Sequence, residues 1–391
     1  MKKIAFINQR YGLEVNGGSE YYTRLMAERL AGRYEVEVLT TKALDYVTWE
    51  NHYEQDTEII NNVLVRRFKT DRNRAEDFNK YNEKYLTFIR ENGGDIAKEE
   101  KWFEKQGPVS SECIEFIRSN ADKYDIFIFV TYLYYLTVKG LPEVSEKAVL
   151  IPTAHEEPYI HFKFYEDFFK KPAGFIFLTD EEKKLVHSLF KNEDIPYDVM
   201  GTGVDIPENI DAEGFRKKHN LTDYIIYVGR IDEGKNCPQL FQYFREYKKR
   251  NKNTLKLVLM GKPVCDIPDD KDILNLGFVS EQEKFDGIAG ARMLVLPSKF
   301  ESLSISVLEA MSLGVPVLVN GACEVLKGHC LKSDGGLYYN NYFEFEGCLE
   351  YMLKNRENME IMSRNSELYI DKYYRWDVIT DRFSEFLEKI R

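Results

Sequence analysis

"MLVLPSKFESLSISVLEAMSLGVPVLVNG", residues 293–321, reads as strand, helix, strand. The first apolar run closes at Pro297-Ser298, helical spacing starts at Leu303, and a Gly314-Val315-Pro316 turn feeds a second apolar run. Such a unit builds a parallel sheet with crossover helices. Two carboxylates interrupt it: Glu301, placed at or just before the helix start, and Glu309, in the second turn. Eight residues of helical rise would separate them by about 12 Å, a span suited to one ligand held at both ends. Glu309 stands between Leu308 and Ala310 on an apolar face, where an acid is rarely buried without a partner.

The same alternation extends in both directions. Residues 4–7, 36–39, 63–68, 126–130, 149–152 and 175–178 read as strands of one α/β sheet. Residues 224–229, 255–261, 273–278, 293–298 and 316–321 read as strands of a second, doubly wound sheet. Between them "GTGVDIPENIDAEG", residues 201–214, is rich in Gly, Pro and Asp, lacks periodicity and is expected to be the linker. The division is therefore 1–205 and 206–372, followed by a terminal helix over 373–391 whose Trp376, Ile379, Phe383 and Phe386 recur at helical spacing. Residues 71–106 are too long and too charged for an ordinary loop and read as an inserted helical element of unreadable function.

Length and charge narrow the function. The chain has 391 residues, 43% hydrophobic and 30% charged, which fits about two globular domains. A formal net charge of -11 opposes a general nucleic-acid binder. Lys2 and Lys3 precede only a short apolar run, so no signal peptide or membrane span starts there, and a cytoplasmic protein is expected. Cys113, Cys237, Cys265, Cys323, Cys330 and Cys348 form no C-x-x-C pair, so no zinc framework is expected.

Parallel sheets carry their ligands at the carboxyl ends of strands, and two such domains facing each other imply an interdomain cleft. After the first strand, Gly17 and Gly18 precede a helix opening at Ser19, the expected N-cap, where backbone N–H groups can meet an anion; a plain turn explains the pair equally well. No G-x-G-x-x-G follows, so a dinucleotide reading is weak. After "YIIYVG", Arg230 and Lys235 stand at a strand end just before a helix, as a leaving diphosphate would need. Glu309 and Glu301 can accept ribose or sugar hydroxyls, and N–H groups of Ser302, Leu303 and Ser304 can meet phosphate or sugar oxygens. The D-x-D of Asp270 to Asp272 reads as a solvated turn, so no metal site is expected.

Together these pieces resemble the retaining glycosyltransferases of family four. "YVGRIDEGKN" is similar to the family's Y-V-G-R-L-x-x-x-K-G segment, "FESLSISVLEAMSLGVPVL" to its E-x7-E segment, "NGGSE" to its G-G-A-E loop, and "LGFVSEQEKFDGIAGARMLVLPS" to the run between them. The resemblance implies a GT-B fold of two facing Rossmann-like domains, with the terminal helix crossing back to the first. It implies that Arg230 and Lys235 bind the donor diphosphate, Glu309 the ribose and Glu301 the transferred sugar. Gly17 and Gly18 would close over the phosphates or the reacting centre, and Gly261, Phe278 and Val279 would lie on the donor side, the last two beside the base. "PTAHEEPYI" matches the family's His-Asp segment, giving His155 a role at the reacting centre, with Glu156 where Asp is usual. Ser302 and Ser304 replace glycines, and Pro263 replaces the second Gly of a G-x-G, which leaves donor sugar and base open.

The implied reaction is transfer of a sugar from a nucleoside-diphosphate sugar to a saccharide or lipid-linked acceptor, retaining and metal-independent, with no cofactor, in surface polysaccharide or glycoconjugate synthesis. A nucleotide-sugar epimerase of the same architecture and a non-catalytic sugar-nucleotide binder are the alternatives. The aromatic, Lys-containing run over 159–175 suits an acceptor cleft, a peripheral contact at the inner membrane face, or a half-buried crossover helix.

Overall fold

The structure, a computed structural model, describes residues 1–15 and 17–390. Asn16 of the "NGGSE" loop and Arg391 at the end of the expected terminal helix lie outside the described residues. Two compact units result, Met1–Thr202 with Ile379–Arg391, and Gly203–Val378.

The first unit is built on β1 (Lys3–Ile7), β2 (Glu35–Thr41), β3 (Thr57–Ile60), β4 (Val63–Phe68), β5 (Ile126–Val130), β6 (Ala148–Ile151), β7 (Gly174–Phe177) and β8 (Tyr197–Val199). Their order is β3-β4-β2-β1-β5-β6-β7-β8, parallel except for the β3/β4 pair. Helices cover the sheet, so β1 and β5 are buried along both faces and read as unbroken apolar runs. β3 and β8 escape a search for such runs. β3 is half of a hairpin whose turn residues Asn61 and Asn62 have φ of 46° and 67°, and β8 is three residues long.

The insertion forms two helices, Phe78–Asn92 and Ile96–Gln106. Glu99, fully buried in the second, accepts hydrogen bonds from Tyr85 Oη at 2.7 Å, Lys163 N at 3.0 Å and Phe164 N at 2.7 Å. This ties the insertion to the aromatic run, whose Ile160, Phe162, Tyr165, Phe168, Phe169 and Phe175 are core residues packed with Trp102 and Phe103. The run's aromatics are thus spent inside the fold, as expected of a crossover segment.

The terminal helix is shorter than 373–391. A helix over Arg356–Tyr373 ends first, and a new one runs over Trp376–Leu387. Ile379, Phe383 and Phe386 face the core of the first unit, where Phe383 stacks on Phe6 of β1 at 6.4 Å. Trp376 belongs instead to the second unit and lies against Gly203, where a Cβ would fall 2.3 Å from the indole.

The second unit holds β9 (Tyr224–Val228), β10 (Lys256–Met260), β11 (Ile273–Asn275), β12 (Leu294–Leu296), β13 (Val317–Asn320) and β14 (Gly336–Tyr339), all parallel, in the order β11-β10-β9-β12-β13-β14. This is the doubly wound 3-2-1-4-5-6 order, and its direction reverses between β9 and β12. β14 was not expected. Its Gly336 lies so close to β13 that a Cβ would stand 2.3 Å from Val317 O. The expected linker is also shorter than 201–214, because Asp211 caps a helix over Ala212–Lys218 by accepting from Gly214 N at 2.8 Å.

Candidate active site

In the second unit the loops after β9 and β12 meet where the strand order reverses. Asn236, in the left-handed region, donates from Nδ2 to Pro297 O at 3.1 Å, and Asn320, the last residue of β13, donates to the same oxygen at 2.9 Å. Across this junction Lys235 Nζ bonds Glu301 Oε1 at 2.7 Å. Asp232 accepts from Lys235 N at 2.7 Å and pairs with the half-exposed guanidinium of Arg230. Two cations and a sugar-competent carboxylate therefore share one pair of loops. Behind them Gly229 and Gly261, with φ of 151° and 149°, approach so closely that a Cβ on Gly261 would stand 1.8 Å from Gly229 O.

The helix carrying Glu309 runs over Ile305–Ser312, later than the sequence suggests. Ser304 is its N-cap residue with φ of 66°, and its carbonyl accepts from Val307 N at 3.1 Å and Leu308 N at 3.3 Å. Glu301 is therefore a loop residue, the helical spacing to Glu309 does not apply, and Ser302 and Leu303 are not part of the helix N-terminus. A left-handed residue must break the chain before the helix, which an apolar period cannot reveal. Glu309 is 5% exposed, and its Oε1 accepts from Lys284 Nζ at 2.6 Å. Burial pushes its pKa up, and the Lys284 ammonium pulls it back down.

One residue that the sequence did not mark holds the Glu301 loop in place. Buried His329 donates from Nε2 to Leu303 O at 2.7 Å, and its Nδ1 meets Tyr369 Oη at 3.1 Å, which in turn meets Tyr374 Oη at 3.2 Å. The carbonyl partner fixes the tautomer, because Nε2 must carry the hydrogen there. On the far side of the sheet's switch point, Phe278 follows β11 with its ring 73% exposed, and Val279 is half-buried. Asp270 and Asp272 are ion-paired, to Arg245 at 3.3 Å and to Lys256 at 2.9 Å.

In the first unit Gly17 and Gly18 open the helix Gly18–Leu30. Ser19 is inside that helix rather than its cap, and donates to Glu20 Oε2 at 2.8 Å. A Cβ on Gly17 would fall 2.2 Å from Glu20 Oε2, so a side chain there would displace a carboxylate that is buried against Gln9 and Arg10. His155 lies on the loop after β6, and the carboxylate beside it is Glu157, 3.5 Å from Nε2, rather than Glu156, which turns to His161. Glu157 is itself fixed by Tyr132 Oη at 2.6 Å.

The His155 loop has its own anchor, also unmarked in the sequence. Buried Glu182 accepts from Ala154 N and Leu178 N, each at 2.6 Å, and so ties the ends of β6 and β7 together. Burial pushes its pKa up to about 8 against these two N–H donors. Replacing Glu182 with alanine leaves both N–H groups buried and unmatched, at about 1–3 kcal/mol each. Glu182→Ala is expected to lose about 3 kcal/mol of stability in urea unfolding; a loss below about 1 kcal/mol would show that the carboxylate is not the anchor.

The class these features define is GT-B, two doubly wound α/β units in one chain. Sucrose-phosphate synthase from Thermosynechococcus elongatus is similar to this chain with a TM-score of 0.70 at 14% identity, over 100% of this chain and 99% of that one. The Anabaena protein HepE, solved with UDP and glucose, gives 0.71 at 13% identity over 100% of both chains. α,α-Trehalose 6-phosphate synthase from Burkholderia multivorans gives 0.70 at 12% identity, over 100% of this chain and 97% of that one. Residues 208–368 match the family described as glycosyl transferases group 1, so the second unit is a group 1 glycosyltransferase domain. No curated protein sequence matches the chain. Among the described residues no helix is long and apolar enough to cross a membrane.

Proposed function

We propose that the chain transfers a sugar from a nucleoside-diphosphate sugar to an acceptor hydroxyl with retention of anomeric configuration, in the cytoplasm, for surface polysaccharide or glycoconjugate synthesis. The observation that carries the reading is the Lys235–Glu301 pair at 2.7 Å, set where the strand order of a group 1 domain reverses. Each cation at this point rests on a carboxylate, Lys235 on Glu301 and Arg230 on Asp232. A diphosphate arriving there takes over both cations and frees Glu301 for the hydroxyls of the transferred sugar. HepE, with UDP and glucose bound, supports that donor class.

Departure of the nucleoside diphosphate gathers negative charge on oxygen. Arg230 and Lys235 are aimed at it in advance, which removes the need for a metal; each such group contributes about 3 kcal/mol. Glu309 has Oε1 occupied by Lys284 and offers Oε2 to the ribose. Gly261, Phe278 and Val279 border the base, and Ser302, Leu303 and Ser304 shape the sugar pocket, with Leu303 fixed by His329. Gly17 and Gly18 contact the phosphates, and His155, with Glu157 beside it, serves the reacting centre. The departing phosphate takes the acceptor proton on the face it leaves, which retains configuration.

Incubation of the full chain with a panel of labelled nucleotide sugars, with and without saccharide acceptors, tests the reading. Label moving to acceptor supports it. An isomerised nucleotide sugar formed without acceptor would point to an epimerase, and binding without turnover to a silent binder.

A further inference from the structure

In the first unit the loops after β2 and β4 are locked to each other at the carboxyl end of the sheet. Asp45 Oδ1 accepts from Val47 N and Thr48 N at 2.8 Å each, Thr70 Oγ1 donates to Trp49 O at 2.9 Å, and Arg74 N donates to Thr48 O at 2.7 Å. The carbonyl of Gln106, at the end of the inserted helices, accepts from Trp49 Nε1 at 2.6 Å and from Arg74 Nε at 3.4 Å. The Arg74 guanidinium lies 5.4 Å from the Trp49 ring and 5.1 Å from the Phe78 ring.

Among the described residues no carboxylate forms an ion pair with that guanidinium, and Asp45 acts on it only through space. Among the described residues several cations of these loops, their strands and the inserted helices have a carboxylate: Arg10 pairs with Glu20, Arg67 with Glu58, Lys42 with Asp56, Arg72 with Glu104 and Lys105 with Asp77. Arg74 has no ion pair among the described residues, and burial lowers its pKa against the opposing effect of Tyr134, Tyr46, Asp45 and Tyr159. A half-buried charge without an ion pair is costly to keep. Its Nε is engaged backwards, to Gln106 O, so the two terminal nitrogens remain as a planar fork, the geometry that suits a carboxylate or phosphate. Tyr134 packs edge-on against Trp49 at 5.6 Å, so aromatic side chains surround the fork, the mixture of apolar walls and a few placed polar groups that ligand sites use.

We propose that Arg74 binds an anionic group, phosphate or carboxylate, on a saccharide acceptor held by the first unit. This rests on the glycosyltransferase reading and adds to it that the first unit receives the acceptor. The inserted helices then have a role: they supply the Gln106 carbonyl and the Phe78 ring that aim the fork.

Titration calorimetry on the full chain tests this with glucose 1-phosphate, glucuronate and glucose as probes, and with UDP in parallel. Wild type is expected to bind the two anionic sugars at least tenfold tighter than glucose. Arg74→Gln should erase that preference, Arg74→Lys should keep part of it, and UDP affinity should stay the same in both. A preference that survives Arg74→Gln, or one absent from wild type, overturns the proposal and leaves Arg74 as a staple of the Trp49 loop. A fall in UDP affinity with the sugar preference intact also overturns it, because the anion would then be the donor's diphosphate. Failure of wild type to bind UDP would instead count against the donor site of the second unit. Circular dichroism of each variant separates loss of binding from loss of fold, and Arg74→Lys carries the comparison if Arg74→Gln unfolds.

Discussion

Replacing Lys235 with alanine is expected to lower kcat on a nucleotide-sugar donor about a hundredfold, with the fold intact. The Lys235 side chain is 30% exposed and pairs with Glu301, which is 12% exposed, so its removal leaves a mostly buried carboxylate without its cation and costs about 1–3 kcal/mol of stability. What it costs in catalysis, on the proposed reading, is a charge placed in advance where the leaving diphosphate becomes most negative. That contribution, about 3 kcal/mol, corresponds to roughly two orders of magnitude in rate. Steady-state kinetics at saturating donor reads it directly. A variant that kept wild-type kcat and lost only donor affinity would show that Lys235 binds ground state and transition state alike.

The second large effect belongs to Glu309. Glu309→Ala removes the proposed ribose acceptor and also strands the Lys284 ammonium, whose side chain is 18% exposed. Breaking a buried pair on one side costs about 3 kcal/mol at its low end, which fits here because Lys284 retains some solvent and a distant Glu281. Donor affinity is expected to fall at least tenfold. Glu309→Ala combined with Lys284→Met should recover stability without recovering donor binding, because the stranded charge is gone but the ribose acceptor is still missing. If the double variant regains both, Glu309 is a structural acid and its place in the donor site is wrong.

Why some of this was readable and some was not follows from what each feature demands of the chain. Runs such as residues 224–228 and 126–130 are buried on both faces, so their composition alone marks them as parallel strands. β3 shows one face to solvent, β8 has three residues and β14 opens on Gly and closes on two tyrosines, so none forms such a run. Arg230, Lys235 and Glu301 stand in loops directly after strands that were recognised, and the structure brings Lys235 and Glu301 within 2.7 Å. The helix start at Ile305 was misplaced because it depends on the left-handed turn at Ser304. His329 and Glu182 could not be found, since each acts on a backbone group far away in sequence, Leu303 O and Ala154 N. Glu157 could have been preferred to Glu156 only by knowing which way the loop after β6 turns at Thr153, with φ of 53°.

Transfer of a sugar with retention is the central claim, and proton NMR of the product formed from an α-linked nucleotide sugar and a saccharide acceptor tests it most directly. The expected result is a new glycosidic anomeric signal with the small coupling of an α linkage, appearing together with free nucleoside diphosphate. A large, inverted coupling would contradict retention, and an isomerised nucleotide sugar with no diphosphate released would contradict transfer itself.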